Sequence, residues 1–293
     1  MQTQPNITAF SRSTPDHRTE TESFWQQSQL RNRPGGSGQA SGGTPTLFHL
    51  APPYERAVPC RQVSGELAGL QPGSVLVLEV STEPRDWSSL HQTMVRLRAE
   101  APLLPLALRI DASRVDVLHS AIQIAQMPVR AVVGDDGYAK SLRRQLTRPA
   151  DLPGDVVEWL TLRGIRMTPS IRHLLHGIFA LAPDSPTVAP LLTRIGTSES
   201  SARFRLQKKC LPPPGRWLQV ARALTAALHL QSRPDRALLP LALSLGYADH
   251  SALSHLLGRA FSVRPGEIRD RLGWEWLLDR WLRSNVRRFR EAA

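Results

Sequence analysis

The stretch Leu238–Ile268 constrains the fold more than any other part of this chain. Its first half carries apolar residues at helical spacing and ends at Gly246, where a helix C-terminus favours a residue that tolerates positive φ. Asp249 and Ser251 follow, and either side chain can cap a second helix that runs through Leu257. A helix, a glycine turn and a short second helix are typical of a helix-turn-helix, but a single copy fits a helical hairpin in a core equally well.

A second copy of this pattern occurs earlier, at Val188–Gly215. Gly196 matches Gly246 at a spacing of 50 residues, and one residue added after the turn makes the spacing 51. The longer spacing aligns three further pairs: Ala202 with Leu253, Leu206 with Leu257, and Pro214 with Pro265. Internal repetition is hard to produce by chance, so it favours two helix-turn-helix units over a single hairpin.

Two such units, joined by a helix predicted over Trp217–Leu230 from its strong helix formers, resemble the AraC-type (AraC/XylS) transcription regulators. The resemblance covers about residues 170–272. The second unit carries most of the family signature: Ala242, Leu245-Gly246-Tyr247, Asp249, Ser251, Leu253-Ser254, Phe261 and Pro265. The family's Arg, Lys, Gly and Ser are replaced at four positions: His255, Gly258, Ser262 and Arg264. The resemblance implies an all-α C-terminal domain that binds double-stranded DNA and regulates transcription.

The charge is concentrated in the same half of the chain. The formal net charge is +12 over 293 residues, and residues 187–293 contain 18 Lys and Arg against 8 Asp and Glu. Such an excess favours an anionic partner, with nucleic acid first and an anionic membrane second. A merely soluble basic surface is the alternative.

Several classes of protein are disfavoured by what the sequence lacks. Cys60 and Cys210 are the only cysteines, and their separation gives neither a disulfide framework nor a zinc spacing, which fits the reducing cytoplasm. No apolar run is long enough to span a membrane, and no secretion signal is recognised, so we expect no membrane partner. His173 and His176 lie three apart on a predicted helix without nearby carboxylates, so no metal site is expected there. There is no glycine-rich phosphate loop or nucleophile elbow, and we expect neither an enzyme nor a cofactor.

The N-terminal half divides into a tail and an α/β region. Residues 1–46 are rich in Gln, Ser, Thr, Pro and Gly and predict a disordered tail. Residues 47–150 alternate strand and helix patterns, which predicts a small α/β regulatory domain built on a small parallel sheet. The strand patterns are Val75–Val80, Leu106–Ile110 and Val129–Val133, and the helix patterns are Leu90–Ala99, Val115–Gln126 and Tyr138–Leu146.

By element order alone, this region resembles a receiver-like or flavodoxin-like domain. Asp111 ends a predicted strand, but the Asp and Lys residues do not fall in the order that a phospho-receiver needs. We therefore predict a regulatory or dimerisation role without phosphorylation. A small-molecule site at the C-terminal ends of the strands is an alternative that rests on fold analogy.

Helices are also predicted around the two units. Residues 151–169 form a helical bridge, and Ile171–Leu181 supplies a leading helix for the first unit. Residues 273–293 predict an amphipathic basic helix on which Trp274 and Trp281 face the same way. Its tryptophans would cap the last unit while its arginines contact phosphate, or the whole helix would lie at a membrane interface.

The resemblance also implies which residues contact DNA. A recognition helix enters the major groove, and its early residues reach the base edges. The contact positions of the first unit are Ser200, Ser201, Arg203, Phe204, Arg205, Lys208 and Lys209. Those of the second unit are His250, Ser251, Ser254, His255 and Arg259. Arg203 is expected to pair bidentately with guanine, and the other arginines and lysines are expected to contact phosphate. Because the second unit relies on histidines, the first unit is expected to dominate affinity.

The sequence leaves a second function open. The chain could be an interaction or scaffold protein that keeps the fold without binding specific DNA. The resemblance also leaves two further interactions open: binding to RNA polymerase, and assembly of the protein as a homodimer. Salt-dependent binding to duplex DNA would distinguish a DNA-binding regulator from an interaction or scaffold protein.

Overall fold

The computed structural model describes residues 46–54, 57–60, 67–79, 87–111, 130–134, 138–149 and 151–286. The strands are β1 (Thr46–Leu50), β2 (Val58–Pro59), β3 (Val75–Glu79), β4 (Leu106–Asp111) and β5 (Arg130–Gly134), with helices α1 (Trp87–Glu100) and α2 (Tyr138–Thr147) among and after them. From residue 151 onward the described chain is helical: α3 (Leu152–Leu162), α4 (Pro169–Leu181), α5 (Val188–Ile195), α6 (Glu199–Gln207), α7 (Pro214–Ser232), α8 (Leu238–Ser244), α9 (His250–Phe261), α10 (Pro265–Asp270) and α11 (Glu275–Asn285). Three sequence predictions fall outside the described residues: the tail up to residue 45, the helix at Val115–Gln126, and the basic end of the chain from residue 287.

The strands form one mixed sheet in the order β2-β1-β3-β4-β5. β3, β4 and β5 are parallel, and Leu76 lies opposite Leu106. β1 pairs antiparallel with β3, which places Leu50 opposite Val75, and the two-residue β2 forms the edge. The parallel sheet is therefore confirmed for the three predicted strands. The sheet as a whole is mixed, because β1 pairs antiparallel with β3. Sequence reasoning did not identify this five-residue segment as a strand.

Alternating side chains of the sheet enter two separate cores. Leu76 and Leu78 pack with Met94 and Leu97 of α1 on one face. The intervening Val75 and Val77 belong to the core on the other face, together with Leu142 and Leu146 of α2. That second core also contains Leu272, which comes from the loop after α10. The helical region therefore contributes directly to covering the sheet.

The helical region is built around one large core with Trp217 of α7 at its centre. The ring of Trp217 lies 6.4 Å from that of Phe179 and 4.6 Å from that of Trp281, measured between centroids. Trp159 meets Trp274 edge to face at 5.9 Å. Aromatic pairs at these separations add about 0.5–1.5 kcal/mol each beyond the burial of their surface. α11 is therefore part of the core, in agreement with the predicted capping role of its tryptophans.

Sequence reasoning underestimated how deeply α11 is buried. Trp276, which does not lie on the predicted apolar face, is buried as well, and so is Asp279. The Asp279 carboxylate accepts hydrogen bonds from the guanidinium groups of Arg163 at 2.5 Å and Arg283 at 2.7 Å, so its charge is compensated. Because these tryptophans lie inside the protein, they are not available to a membrane interface.

Buried hydrogen bonds join the sheet to the helices. The Tyr54 hydroxyl donates to the carbonyl oxygen of Gly73 at 2.7 Å and accepts from the amide of Leu272 at 2.5 Å. The fully buried Gln231 donates through Nε2 to the carbonyl oxygens of Arg271 at 2.7 Å and Gly273 at 2.9 Å. The segment after α10 is thus held from both sides, and the described residues belong to one compact unit.

Candidate nucleic-acid interface

Two helix pairs repeat the same local geometry. The first pair consists of α5 and α6, and the second of α8 and α9. Gly196 and Gly246 end the first helix of each pair with φ of 77° and 75°, in the left-handed region that glycine adopts without strain. After each glycine, an amide donates back to the carbonyl oxygen five residues earlier: Thr197 to Leu192 at 3.0 Å, and Tyr247 to Ala242 at 2.9 Å. This is the Schellman arrangement of a helix C-terminus, so the predicted glycine turns are confirmed.

Capping side chains start the second helix of each pair. The Ser198 hydroxyl accepts from the amide of Ser201 at 3.2 Å, and the Asp249 carboxylate accepts from the amide of Ala252 at 2.8 Å. Of the two candidate caps in the second copy, Asp249 is therefore the one used. Each cap satisfies an amide that the helix itself leaves free, which is worth about 1 kcal/mol.

The aligned positions of the two pairs serve the same packing role. Ala202 and Leu206 of α6 and their counterparts Leu253 and Leu257 of α9 are all fully buried in the helical core. α7 begins at Pro214 and α10 at Pro265, as the repeat predicts. Because the apolar side of each second helix is used in the core, its polar side lies at the surface.

The outer face of α6 carries most of the residues predicted for the first unit. Ser200, Arg203, Lys208 and Lys209 are exposed, and Ser201 and Arg205 are half-buried. Phe204 is 67% exposed, which is unusual for a side chain with so much apolar surface. An exposed aromatic ring beside cations suits contact with bases or with another protein.

An acidic neighbour on α6 was missed by sequence reasoning. The Glu199 carboxylate lies one turn before Arg203 and accepts a hydrogen bond from its guanidinium at 2.8 Å. Both side chains are largely exposed, so the pair is worth less than about 1 kcal/mol. The spacing of four residues on a helix is a sequence signal that could have revealed it.

The outer face of α9 forms a shallow depression of about 500 Å³. Its lining consists of the five residues predicted for the second unit, His250, Ser251, Ser254, His255 and Arg259, together with Gly258. The Ser254 hydroxyl donates to the carbonyl oxygen of His250 at 2.9 Å. Gly258 has no side chain, and this part of the surface is open.

The turn of the second pair is fastened to α7. The Arg222 guanidinium lies 4.7 Å from the centroid of the Tyr247 ring and donates to the carbonyl oxygen of Leu245 at 3.3 Å. Burial raises the pKa of the Tyr247 hydroxyl, so the ring stays neutral and packs as an aromatic surface. These contacts fix the orientation of α8 relative to α7.

The described part of the chain offers neither a metal-binding group nor a membrane-spanning helix. There, no group of three or more His, Cys, Asp or Glu side chains could hold a metal ion. At His173 and His176, where the sequence predicted no metal site, the Nε2 atom of His176 lies 3.9 Å from the Asp151 carboxylate. Among the described helices none is long and apolar enough to cross a membrane.

Comparison of the chain with protein-family models, with curated proteins and with solved structures found no match.

Proposed function

We propose that this protein is a sequence-specific DNA-binding transcription regulator of the AraC type. In this proposal the two helix pairs are helix-turn-helix units, and α6 and α9 enter successive major grooves as recognition helices. The observation that carries the proposal is the repeated geometry: a Schellman turn at glycine, a capped second helix, and a polar face left outside the core. The excess of positive charge in residues 187–293 supplies the attraction to phosphate.

Arg203 is the strongest candidate for reading a base. Its exposed pair with Glu199 is worth less than about 1 kcal/mol, whereas a bidentate contact with guanine contributes roughly 1–3 kcal/mol. Guanine would therefore displace Glu199 from the guanidinium. Lys208 and Lys209 lie in the turn at the end of α6, where they suit phosphate contacts that set affinity without reading sequence.

The second unit would refine the contact made by the first. His250 and His255 each present ring nitrogens that can donate or accept, and Arg259 offers one cation to phosphate. The smaller number of cations on α9 predicts a smaller share of the total affinity.

The helix α7 sets the distance between the two units. Its 19 residues, from Pro214 to Ser232, span roughly 28 Å at the usual rise per residue. One turn of B-DNA is about 34 Å. A rigid connector that is shorter than a turn would require the DNA to bend, or half-sites spaced to match it.

The α/β region is proposed to be regulatory. Its parallel strands β3 to β5 support the receiver-like or flavodoxin-like resemblance, whereas the antiparallel β1 departs from it. The resemblance alone suggests RNA polymerase as a further partner and a homodimer as the assembly.

A second candidate function is supported by exposed apolar residues. Leu239 and Leu243 lie one turn apart on α8 and are 46% and 57% exposed, and Phe204 is more exposed still. Such residues suit a contact with another protein. In this case the protein would be an interaction or scaffold protein that keeps the fold without specific DNA binding.

Selection from random duplexes tests the proposal. The full chain is mixed with a random duplex pool at near-physiological salt, and the bound fraction is sequenced. We expect an enriched motif with two half-sites about one helical turn apart. A motif with one half-site would assign the second unit a structural role. Binding without enrichment that disappears as salt rises would contradict specific recognition and favour the interaction protein.

A further inference from the structure

A second surface feature lies away from the outer faces of α6 and α9. A cleft of about 690 Å³ opens where the ends of α2 and α7 meet the start of α3. We call it the arginine cleft, after Arg148, Arg233 and Arg236, which line it together with His229. Its volume falls within the range of small-molecule sites, about 300–1,000 Å³.

The arginine cleft combines an apolar floor with a cationic rim. Phe179 and Leu228 are buried side chains of the helical core that form part of its lining. Hydroxyl groups, including that of Thr225, line it as well. No acidic residue is among the lining residues of this cleft. An apolar body with a negative charge at one end would match both parts of such a lining.

The positive charges of the three guanidinium groups all affect one side chain, the imidazole of His229. The pKa of His229 is lowered, first by burial and then by the positive charges of Arg236, Arg233 and Arg148. His229 and the three arginines line the same cleft, so these positive charges lie on the same side of the molecule as the imidazole. Among the described residues, none of these three guanidinium groups has a hydrogen bond or ion pair with an acidic side chain.

The helix macrodipole explains only part of this arrangement. Arg148 follows the last residue of α2, and Arg233 caps α7, so each is favoured by the negative end of its own helix by about 0.3–1 kcal/mol. That effect does not account for cations from separate segments around a shared cleft. No carboxylate in the lining of the cleft offsets the mutual repulsion of these three cations.

We propose that the arginine cleft binds a small organic anion with an apolar body, such as an alkyl or aryl carboxylate. The carboxylate would accept hydrogen bonds from Arg233 and Arg236, and the apolar body would lie over Phe179 and Leu228. Guanidinium groups suit this role because they present paired donors to a carboxylate.

A ligand at this position would join two parts of the molecule. The lining includes Thr147 at the end of α2 and Leu245 at the turn of the second pair. Binding would therefore stabilise the contact between the α/β region and the second pair. The further step, that the ligand changes DNA binding, rests on the proposed function, whereas the binding itself does not.

Binding can be measured on the full chain without DNA. The probe is 8-anilinonaphthalene-1-sulfonate, an apolar anion whose fluorescence rises when it leaves water. We expect saturable binding at one site, and displacement by octanoate or benzoate but not by inorganic phosphate at equal concentration. Absence of saturable binding, or equal displacement by phosphate, would overturn the proposal.

A double variant and a matched control assign the site. The double variant R233Q/R236Q should weaken binding about tenfold or more, because hydrogen bonds to charged groups are lost. The control is R216Q/R280Q, which removes two exposed arginines that do not line the cleft. An unchanged affinity in the first variant, or an equal loss in the control, would contradict the assignment.

A third variant keeps every arginine in place. Ala180 is an exposed residue of α4 that lines the cleft, so A180L fills part of the volume without disturbing the core. We expect it to weaken probe binding while the thermal unfolding midpoint stays within a few degrees of the original protein. A folded A180L protein that binds the probe as before would overturn the proposal, even if the arginine variant failed to fold.

Discussion

At Arg203, one guanidinium group faces two possible partners. Glu199 holds it at 2.8 Å in the free protein, and guanine would take its place in a complex. R203A should weaken binding to a selected site by roughly 1–3 kcal/mol, measured by fluorescence anisotropy. E199Q should strengthen binding, because it removes both the competitor and a negative charge near the phosphates.

The same titration compares the two units. Exposed Arg216 at the start of α7 serves as a control, since its only hydrogen-bond partner among the described side chains is Gln219, at 3.5 Å. The R216A variant should bind the selected DNA site almost as tightly as the original protein, because it loses little more than the nonspecific attraction of one positive charge to phosphate. H255A should cost less than R203A if the first unit dominates. An equal or larger loss in H255A would contradict the order of importance proposed for the two units.

Among the helices and turns, the end of α9 contains a residue in a strained backbone conformation. Ser262 has φ of 54°, in the left-handed region, at the position where the AraC-type signature has glycine. In that region a residue with a Cβ atom is less stable than glycine by about 1–2 kcal/mol. The backbone thus adopts a conformation that glycine would favour, although the residue is serine.

This strain predicts a stabilising substitution. S262G should raise the free energy of unfolding by about 1 kcal/mol, measured by urea denaturation. S254G is the matched control, because Ser254 lies within α9, where glycine lowers stability by about 0.5 kcal/mol relative to serine. Destabilisation by both variants would show that the Ser262 side chain contributes more than its backbone costs.

At the scale of the whole molecule, the sheet and the helices share one junction. Tyr54 bridges Gly73 in the sheet region and Leu272 after α10, and it is buried at that position. Y54F should lower the free energy of unfolding by about 1–3 kcal/mol at neutral pH, because both backbone groups lose their partner inside the protein. Urea denaturation followed by far-UV circular dichroism measures the loss.

A second tyrosine offers a control for this substitution. The buried Tyr247 hydroxyl has no hydrogen-bond partner among the described residues, so Y247F should be nearly neutral at the same pH. A loss in Y247F as large as that in Y54F would contradict the bridging role.

The junction also predicts a dependence on pH. Burial raises the pKa of Tyr54 to about 12, above the ordinary value of 10.0. The unfolded chain therefore loses its proton first, so the stability that this tyrosine contributes is present below pH 10.0 and is lost as pH rises toward about 12. The Y54F protein should lose less stability over that interval.

Several features of this protein were determined by the sequence alone because they depend on residues close together in the chain. Gly196 and Gly246 predicted two left-handed turns, and Asp249 and Ser251 were the two candidate caps, since both effects act within a few residues. The spacing of 50 and then 51 residues predicted the repeat. Strong helix formers predicted α7, and compact apolar runs predicted the three parallel strands. The contact between Arg203 and Glu199 was also local and could have been predicted from its spacing.

Other features were decided only by the tertiary structure, because they bring together residues that are far apart in sequence. β1 is as long as β3 but includes Thr46 and His49, so it lacks the continuous apolar run that identified β3. Its antiparallel place beside β3 depends on pairing across about 30 residues of chain. Trp276 is buried on a face that local periodicity assigned to solvent, because the core surrounds α11 on several sides. The arginine cleft likewise exists only after α2 has packed against α7, since no local pattern relates Arg148 to Arg233 and Arg236. Local periodicity records which side of an element is apolar, whereas the choice of neighbour depends on the packing of the whole chain.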